Sequence, residues 1–338
     1  MTLPAIPVPA GSAPAIPVID ARDAGEPAVV SALAEPARLR LVLDAGDRTY
    51  TPWGVRIADG RSRVLSARLT SPYADAVRQV NGAIGRRGAY LLNHSYEWGC
   101  TAGAADDPDA GGTILLRTLD WPFDGLGRAL VVVRQGGPAG EYLSATWPGF
   151  VGVLTGVAPG RFAAAINQPP LPLPGWGRAV GWLAARHRVG RSRAMPPAHL
   201  LRLAFDTCPD FAAAAALLRT TPICLPAIFT LAGPARAEAL VIERTPDAAF
   251  HPTEAAAANH WAATPGPAGR PRNRTSRDRR GAMCAMLSGV PRWSLDWVRP
   301  PVLVPDTRLA MMANPRTGRM LLQGWERSGP ATAVLDVC

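Results

Sequence analysis

Lysine is absent from this chain: all 36 basic residues are arginine, which points to a coding bias toward GC-rich codons. With 26 acidic residues the formal net charge is +10, a balance that raises the question of nucleic-acid binding. The arginines are scattered, and only Arg186 to Arg193 and Arg270 to Arg280 hold runs of them, so no nucleic-acid partner is expected. Attraction to lipid surfaces, as peripheral contact with anionic headgroups, is the more useful expectation. Long apolar runs are missing as well. None reaches the roughly 18 residues of a membrane span. The first twenty residues carry five prolines and no positive start, so they read as a flexible arm over 1–25 and not as a secretory signal. The five cysteines (Cys100, Cys208, Cys224, Cys284 and Cys338) are odd in number and lack CxxC or Cys/His ligand spacing. That pattern predicts a reducing, cytoplasmic compartment, no structural metal and no metal-based cofactor. No internal repeat is present.

What the chain does have is a chemically dense run from Gly99 to Pro122, GCTAGAADDPDAGGTILLRTLDWP. Thr101 to Ala105 and Thr113 to Trp121 read as strands, and the Asp, Pro and Gly residues between them as a turn. Pairing Ala105 with Thr113 gives a summed index of about 218, which puts Cys100 opposite Thr118 and within diagonal reach of Arg117 and Asp120. Arg117 and Asp120 are three apart, so an ideal strand points them to opposite faces. A bulge near Pro122 is one way to reorient the strand end.

A free thiol has a pKa of roughly 8.5 and attacks as its thiolate, so a neighbouring guanidinium activates it. No histidine base is fixed by the hairpin. Scission of the Gly99–Cys100 bond would place a new α-amino group, whose ordinary pKa is about 7.7 to 8.0, beside the thiol to take its proton. Gly99, lacking Cβ, favours such a cut through a strained backbone. Two readings of Cys100 stand at this point: a small buried hydrophobe or a nucleophile.

These residues resemble the cysteine N-terminal-nucleophile (Ntn) hydrolases of the acid ceramidase and N-acylethanolamine acid amidase group, whose mature chains begin at a comparable Cys-Thr hairpin. The likeness extends in order through Trp147–Gly156, Ala158–Phe162, Leu217–Pro222, Ala227–Gly233, Asn259–Trp261 and Asp278–Arg280. Ala102, Thr118 and the pair Asn167-Gln168 depart from the group's pattern, and Gln168 stands where relatives have a carboxylate. Asn259-His260 and the Gly-Cys step are closer to the isopenicillin N acyltransferase branch. The resemblance implies that Cys100 cuts its own preceding bond at Gly99, as a zymogen, and then attacks an amide carbonyl. It implies that Arg117 lies near the sulfur, Asp120 orients the α-amino group, Asn259 donates to the oxyanion and Arg279 completes the site. An oxyanion donor of this kind contributes about 3 to 4 kcal/mol. Asn167 would touch the scissile amide, and Leu171 and Trp176, in the proline-rich run after it, would line an acyl pocket. No cofactor or metal is implied.

With 338 residues and 48% hydrophobic content, the chain can bury an ample core. The segment 26–99 is expected to be a propeptide or small subunit, and 100–338 the catalytic region, with the cleaved halves staying associated. Pro27 to Ile57 reads as short strands such as Leu39–Leu43 between turns, Ala67 to Ile84 as helix, and Ala89 to Trp98 as a strand leading into Cys100. Strands follow at Ala129–Val133, Tyr142–Trp147, Val151–Val157 and Phe162–Asn167. Helices are expected at Arg178–His187, His199–Phe205 and Phe211–Arg219. Strands resume at Ile228–Leu231 and Ala239–Glu243, and a linker over Thr264–Arg274 precedes a helix at Asp278. A last hairpin spans Thr307–Ala313 and Arg319–Gly324. Strand runs alternating with helix blocks indicate α+β layers; the resemblance implies the four-layer αββα sandwich. The expected activity is hydrolysis of the linear amide C–N bond of an N-acyl amide with an apolar acyl part. An acyltransferase using an amine acceptor and a catalytically silent lipid- or partner-binding member are the alternatives.

Overall fold

Two sheets rich in antiparallel pairs lie face to face between helices. The computed structural model describes residues 13–96, 98–170, 192–263 and 274–338. The N-terminal part contains β1 (Val18–Asp20), α1 (Pro27–Ala34), α2 (Pro36–Ser66), α3 (Ala74–Ile84) and α4 (Ala89–His94). Then come β2 (Gly99–Asp106), β3 (Thr113–Asp120), β4 (Val131–Gly137), β5 (Gly140–Thr146), β6 (Thr155–Ala158) and β7 (Phe162–Asn167). Next are α5 (Pro197–Thr207), α6 (Phe211–Thr220), β8 (Ala227–Ala232), β9 (Ala239–Arg244), β10 (Ala249–Phe250) and β11 (Ala256–Ala257). The chain closes with α7 (Ser276–Leu287), β12 (Thr307–Asn314), β13 (Arg319–Glu326), β14 (Gly329–Pro330) and β15 (Leu335–Val337).

One sheet runs β1-β4-β5-β6-β7-β8-β9-β10; the other runs β11-β2-β3-β12-β13-β14, with β15 beside β13. Helices α5 and α6 cover the first sheet and α7 covers the second, which gives the αββα layering. A large apolar cluster joins the facing sheets and includes Cys100, Ala102, Leu115, Leu119, Ala163 and Ala165. A second cluster, with Ile114, Leu116, Met283, Ala310 and Met312, seals α7 onto the other face of β2 and β3. The alternation along β3 therefore sends Arg117 between the sheets and Thr118 and Asp120 toward α7, as the period of a strand requires.

The hairpin is where expected, but its register is one residue out. Cys100 pairs with Leu119 and Ala102 with Arg117. A one-residue slip exchanges the faces of a strand, and here it puts Arg117 on the Cys100 face. The turn is held by Asp107, whose Oδ1 accepts from the Asp109 and Ala110 amides at 2.9 and 3.0 Å.

Three N-terminal expectations are corrected. Residues 27–57 are helical: Pro27 and Pro36 open α1 and α2 at positions that need no amide donor. The apolar set Leu39, Val42, Leu43 and Tyr50 follows a helical period, which the local run Leu39–Leu43 conceals. Helix α2 breaks once, at Thr51, which has φ 62° before Pro52. Ala89 to His94 forms a short helix instead of a strand, because Asp59 accepts from the Leu91 amide at 2.9 Å and Asn93 bonds the Ala89 carbonyl at 2.9 Å. The arm over 1–25 is ordered in part, since Val18–Asp20 pair in parallel with Val132–Arg134. Smaller differences are a helix beginning at Ala74 instead of Ala67, and a strand at Thr155–Ala158 in place of Val151–Val157. The expected helix at Arg178–His187 and the core of the linker at Thr264–Arg274 lie outside the described residues.

Candidate active site

Cys100 is the second residue of β2, and its side chain lies between the sheets with 0% exposure. Arg117, diagonal to it on β3, is equally buried and donates to Asn167 Oδ1 at the end of β7. Asn167 Nδ2 in turn donates to the Ala258 carbonyl at 3.2 Å. The Cys100 sulfur makes a long contact of 3.7 Å to the Ile166 carbonyl. Arg117, Asn167 and the thiol thus meet in the space between the sheets.

The other groups approach the Cys100 backbone from the α7 side. Asn259 Oδ1 accepts from the Cys100 amide at 2.8 Å, and its Nδ2 donates to the Gln168 carbonyl at 2.7 Å. Arg279 Nη1 donates to the Cys100 carbonyl at 2.7 Å, Thr101 Oγ1 at 2.8 Å and Asp120 Oδ2 at 3.0 Å. Its Nη2 donates to Asn259 Oδ1 at 2.7 Å. No bulge in β3 is needed to bring Asp120 in. The Gly99–Cys100 backbone lies in the plane of the sheet, so groups on either face reach it.

Two glycines make this approach feasible. A Cβ on Gly103 would lie 2.7 Å from Met283 Cγ, so glycine there lets α7 settle close enough for Arg279, one turn earlier, to span to Cys100. A Cβ on Gly99 would meet Asp120 Cβ and Oδ2 at 3.3 Å and Asn259 Oδ1 at 3.4 Å. Gly99 therefore serves close approach; it is not among the glycines with positive φ, which corrects the expectation of a strained backbone there.

Electrostatically the site is a closed, buried cluster. Burial pushes the Cys100 thiol up to about 11, with Arg117 pulling the other way. Burial likewise raises the Asp120 carboxyl, opposed chiefly by Arg279 and then by the Thr307 hydroxyl. Burial also disfavours the charged form of Arg117. Its Nε and Nη2 are buried with no hydrogen-bond partner among the described residues. Among the described residues no group of His, Cys, Asp and Glu is placed to hold a metal ion.

The sequence reading brought Cys100, Arg117, Asp120, Asn259, Arg279 and Asn167 forward, and all six share one buried cluster. Leu171 and Trp176 lie outside the described residues. Three further participants went unrecognised. Thr101 receives Arg279, Thr307 donates to Asp120 at 2.8 Å, and Ser276 Oγ accepts from the Asn259 amide at 2.8 Å. Of these only Thr101, adjacent to Cys100, carried a local signal.

No family model matches the chain. Over 260 residues, 71% of this chain and 68% of the relative, it is 28% identical to the N-acylethanolamine-hydrolyzing acid amidase of Cavia porcellus. This likeness supports the resemblance to the cysteine Ntn hydrolases. Among solved structures, it resembles the Caenorhabditis elegans N-acylethanolamine-hydrolyzing acid amidase ortholog at TM-score 0.48 and 18% identity, covering 64% of this chain and 93% of that one. A mutant conjugated bile acid hydrolase from Clostridium perfringens matches at 0.42 and 10%, covering 70% and 92%. Penicillin V acylase from Agrobacterium tumefaciens matches at 0.40 and 14%, covering 67% and 83%. These TM-scores are too low to carry substrate or mechanism across.

Proposed function

We propose that this protein is an Ntn hydrolase, an autoprocessing cysteine amidase that hydrolyses the linear C–N bond of an N-acyl amide. The observation that carries the reading is the convergence on one residue. The Cys100 amide is held by Asn259, its carbonyl by Arg279, and Arg117 shares the face of its sulfur.

In maturation the sulfur adds to the Gly99 carbonyl carbon. The C–N bond breaks as the thiol proton passes to the departing Cys100 nitrogen, and water hydrolyses the thioester to a Gly99 carboxylate and a free thiol. The new α-amino group then takes the proton from the thiol at each turnover, with Asp120 orienting it. Sulfur attacks the substrate carbonyl, the amine leaves with that proton, and water resolves the acyl thioester. Asn259 Nδ2, released from the Gln168 carbonyl, and the unused Arg117 donors stabilise the developing oxyanion.

The apolar acyl part of the reading is supported by a cleft whose lining includes the residue after Asp120. This small apolar cleft is lined by Val42, Leu43, Tyr50, Leu92, Trp121 and Phe123, and Trp121 directly follows Asp120. Helix α2, which supplies three of those residues, also carries Trp53 with 72% exposure, a side chain suited to contact with a lipid surface. The halves stay together after scission because β1 is part of a sheet and Glu26 pairs with the buried Arg202 at 2.7 Å.

The test is turnover of N-acyl amides of graded acyl length, with amine and acid both followed. Equal release of the two, an acid-quenched acyl adduct on the Cys100 fragment, and loss of both in Cys100→Ala are expected. Amine release that persists in Cys100→Ala would overturn the reading. Added amine acceptor that diverts the acyl group into a new amide would assign acyl transfer instead.

A further inference from the structure

Asp120 is held at both oxygens, and only one of its partners comes from the helix that carries Arg279. Its Oδ1 accepts a 2.8 Å hydrogen bond from Thr307 Oγ1, a residue with 1% exposure at the start of β12. The direction of that bond is fixed, because the same hydroxyl accepts from the Val304 amide at 3.0 Å and so has its single proton free for the carboxylate. The placement is built into the strand. The β3–β12 register shifts between Thr307 and Leu309, so Thr307 pairs with Asp120, Leu309 with Leu119, and Arg308 is the extra residue of a bulge. Arg308 is anchored independently, donating to the Phe123 carbonyl at 2.7 Å and to Asp124 at 2.9 Å.

We propose that Thr307, set by this bulge, is the positioning residue that fixes the Asp120 carboxylate beside the Cys100 nitrogen for maturation and turnover. This rests on the amidase reading for its catalytic consequence, not for the geometry. A carboxylate gripped only by Arg279 is free to rotate its second oxygen away. The Thr307 hydroxyl removes that freedom, so the oxygen flanking Gly99 is always presented. The charged and titratable groups around Asp120 are Arg279 from α7, Arg117 from β3, Cys100 from β2 and Asp306 ahead of β12.

Three variants test it. Thr307→Val keeps the shape and removes the hydroxyl, Thr307→Ser keeps the hydroxyl, and Thr307→Ala replaces valine if the latter does not fold. Loss of a hydrogen bond to a charged group predicts maturation and kcat slower by on the order of ten- to a hundredfold in Thr307→Val, with KM little changed. Thr307→Ser restores most of the rate. In the uncleavable Cys100→Ala background, the ¹³C-labelled Asp120 carboxyl should titrate at higher pH with Thr307→Val than with Thr307→Ser. Equal titration in the two, together with wild-type maturation of Thr307→Val, would overturn the proposal. If the wild type neither matures nor hydrolyses amides, the amidase reading falls, while the carboxyl titration still decides the role of Thr307.

Discussion

Replacing Arg279 by methionine in a Cys100→Ala chain, which stays whole, removes the cation that serves Asp120, Asn259, Thr101 and the Cys100 carbonyl together. Both members of the Arg279–Asp120 pair are almost fully buried, with side-chain exposures of 0% and 3%. Removing one partner of such a pair leaves an uncompensated charge and costs about 3–5 kcal/mol. For a chain of this size that is a melting-temperature loss on the order of 5–15 °C. The sign of the pH dependence follows from the carboxyl. Without Arg279, burial dominates and the folded-state pKa of Asp120 rises further above its unfolded value. Stability is then retained below the unfolded pKa and lost as pH rises through and above it, so the deficit relative to the parent shrinks on acidification. Adding Asp120→Asn should recover much of the loss, because no charge is then left without its partner. Thermal unfolding of the parent, both single variants and the double variant across pH is the assay. A deficit independent of pH, or a double variant destabilised by the plain sum of its parts, would refute this account of the pair.

Other outcomes follow from the same geometry. Gly99→Ala places a methyl 3.3 Å from Asp120 and 3.4 Å from Asn259, so self-cleavage should slow while the fold survives, as read by fragment appearance on gels and by circular dichroism. Asn259→Ala removes both the acceptor for the Cys100 amide and the donor now spent on Gln168, and should cost on the order of a hundredfold in kcat, measured by amine release. The intact Cys100 thiol, pushed up to about 11 by burial, is protonated at neutral pH; its alkylation, followed by peptide mapping, should keep climbing beyond pH 9.

The β2–β3 hairpin was legible because its evidence is local: two β-rich runs, a turn of Asp, Pro and Gly, and a Gly-Cys step. Its exact register was not, since Ala105 can face Thr113 or Ile114 with nearly the same turn residues. That single step decides whether Arg117 shares the face of Cys100. The N-terminal helices were misread because the Leu39–Leu43 run is short and apolar, while the helical period that classifies it extends on to Tyr50. Asn259 and Arg279 could be placed only by resemblance. They lie more than 150 residues from Cys100 in the chain, and nothing in their local sequence says which strand they will meet. Thr307 was out of reach for a different reason. Its role depends on a bulge in the pairing of β3 with β12, and pairing registers between distant strands leave no local mark.

The central claim is that Cys100 becomes an N-terminus. Mass spectrometry of the purified protein and of Cys100→Ala, each held over a range of pH and reductant, tests it most directly. The account predicts wild-type fragments of 99 and 239 residues, the second beginning at Cys100, and a variant that remains at 338. A wild type that stays whole under every condition, or a Cys100→Ala chain cut at the same bond, would contradict it.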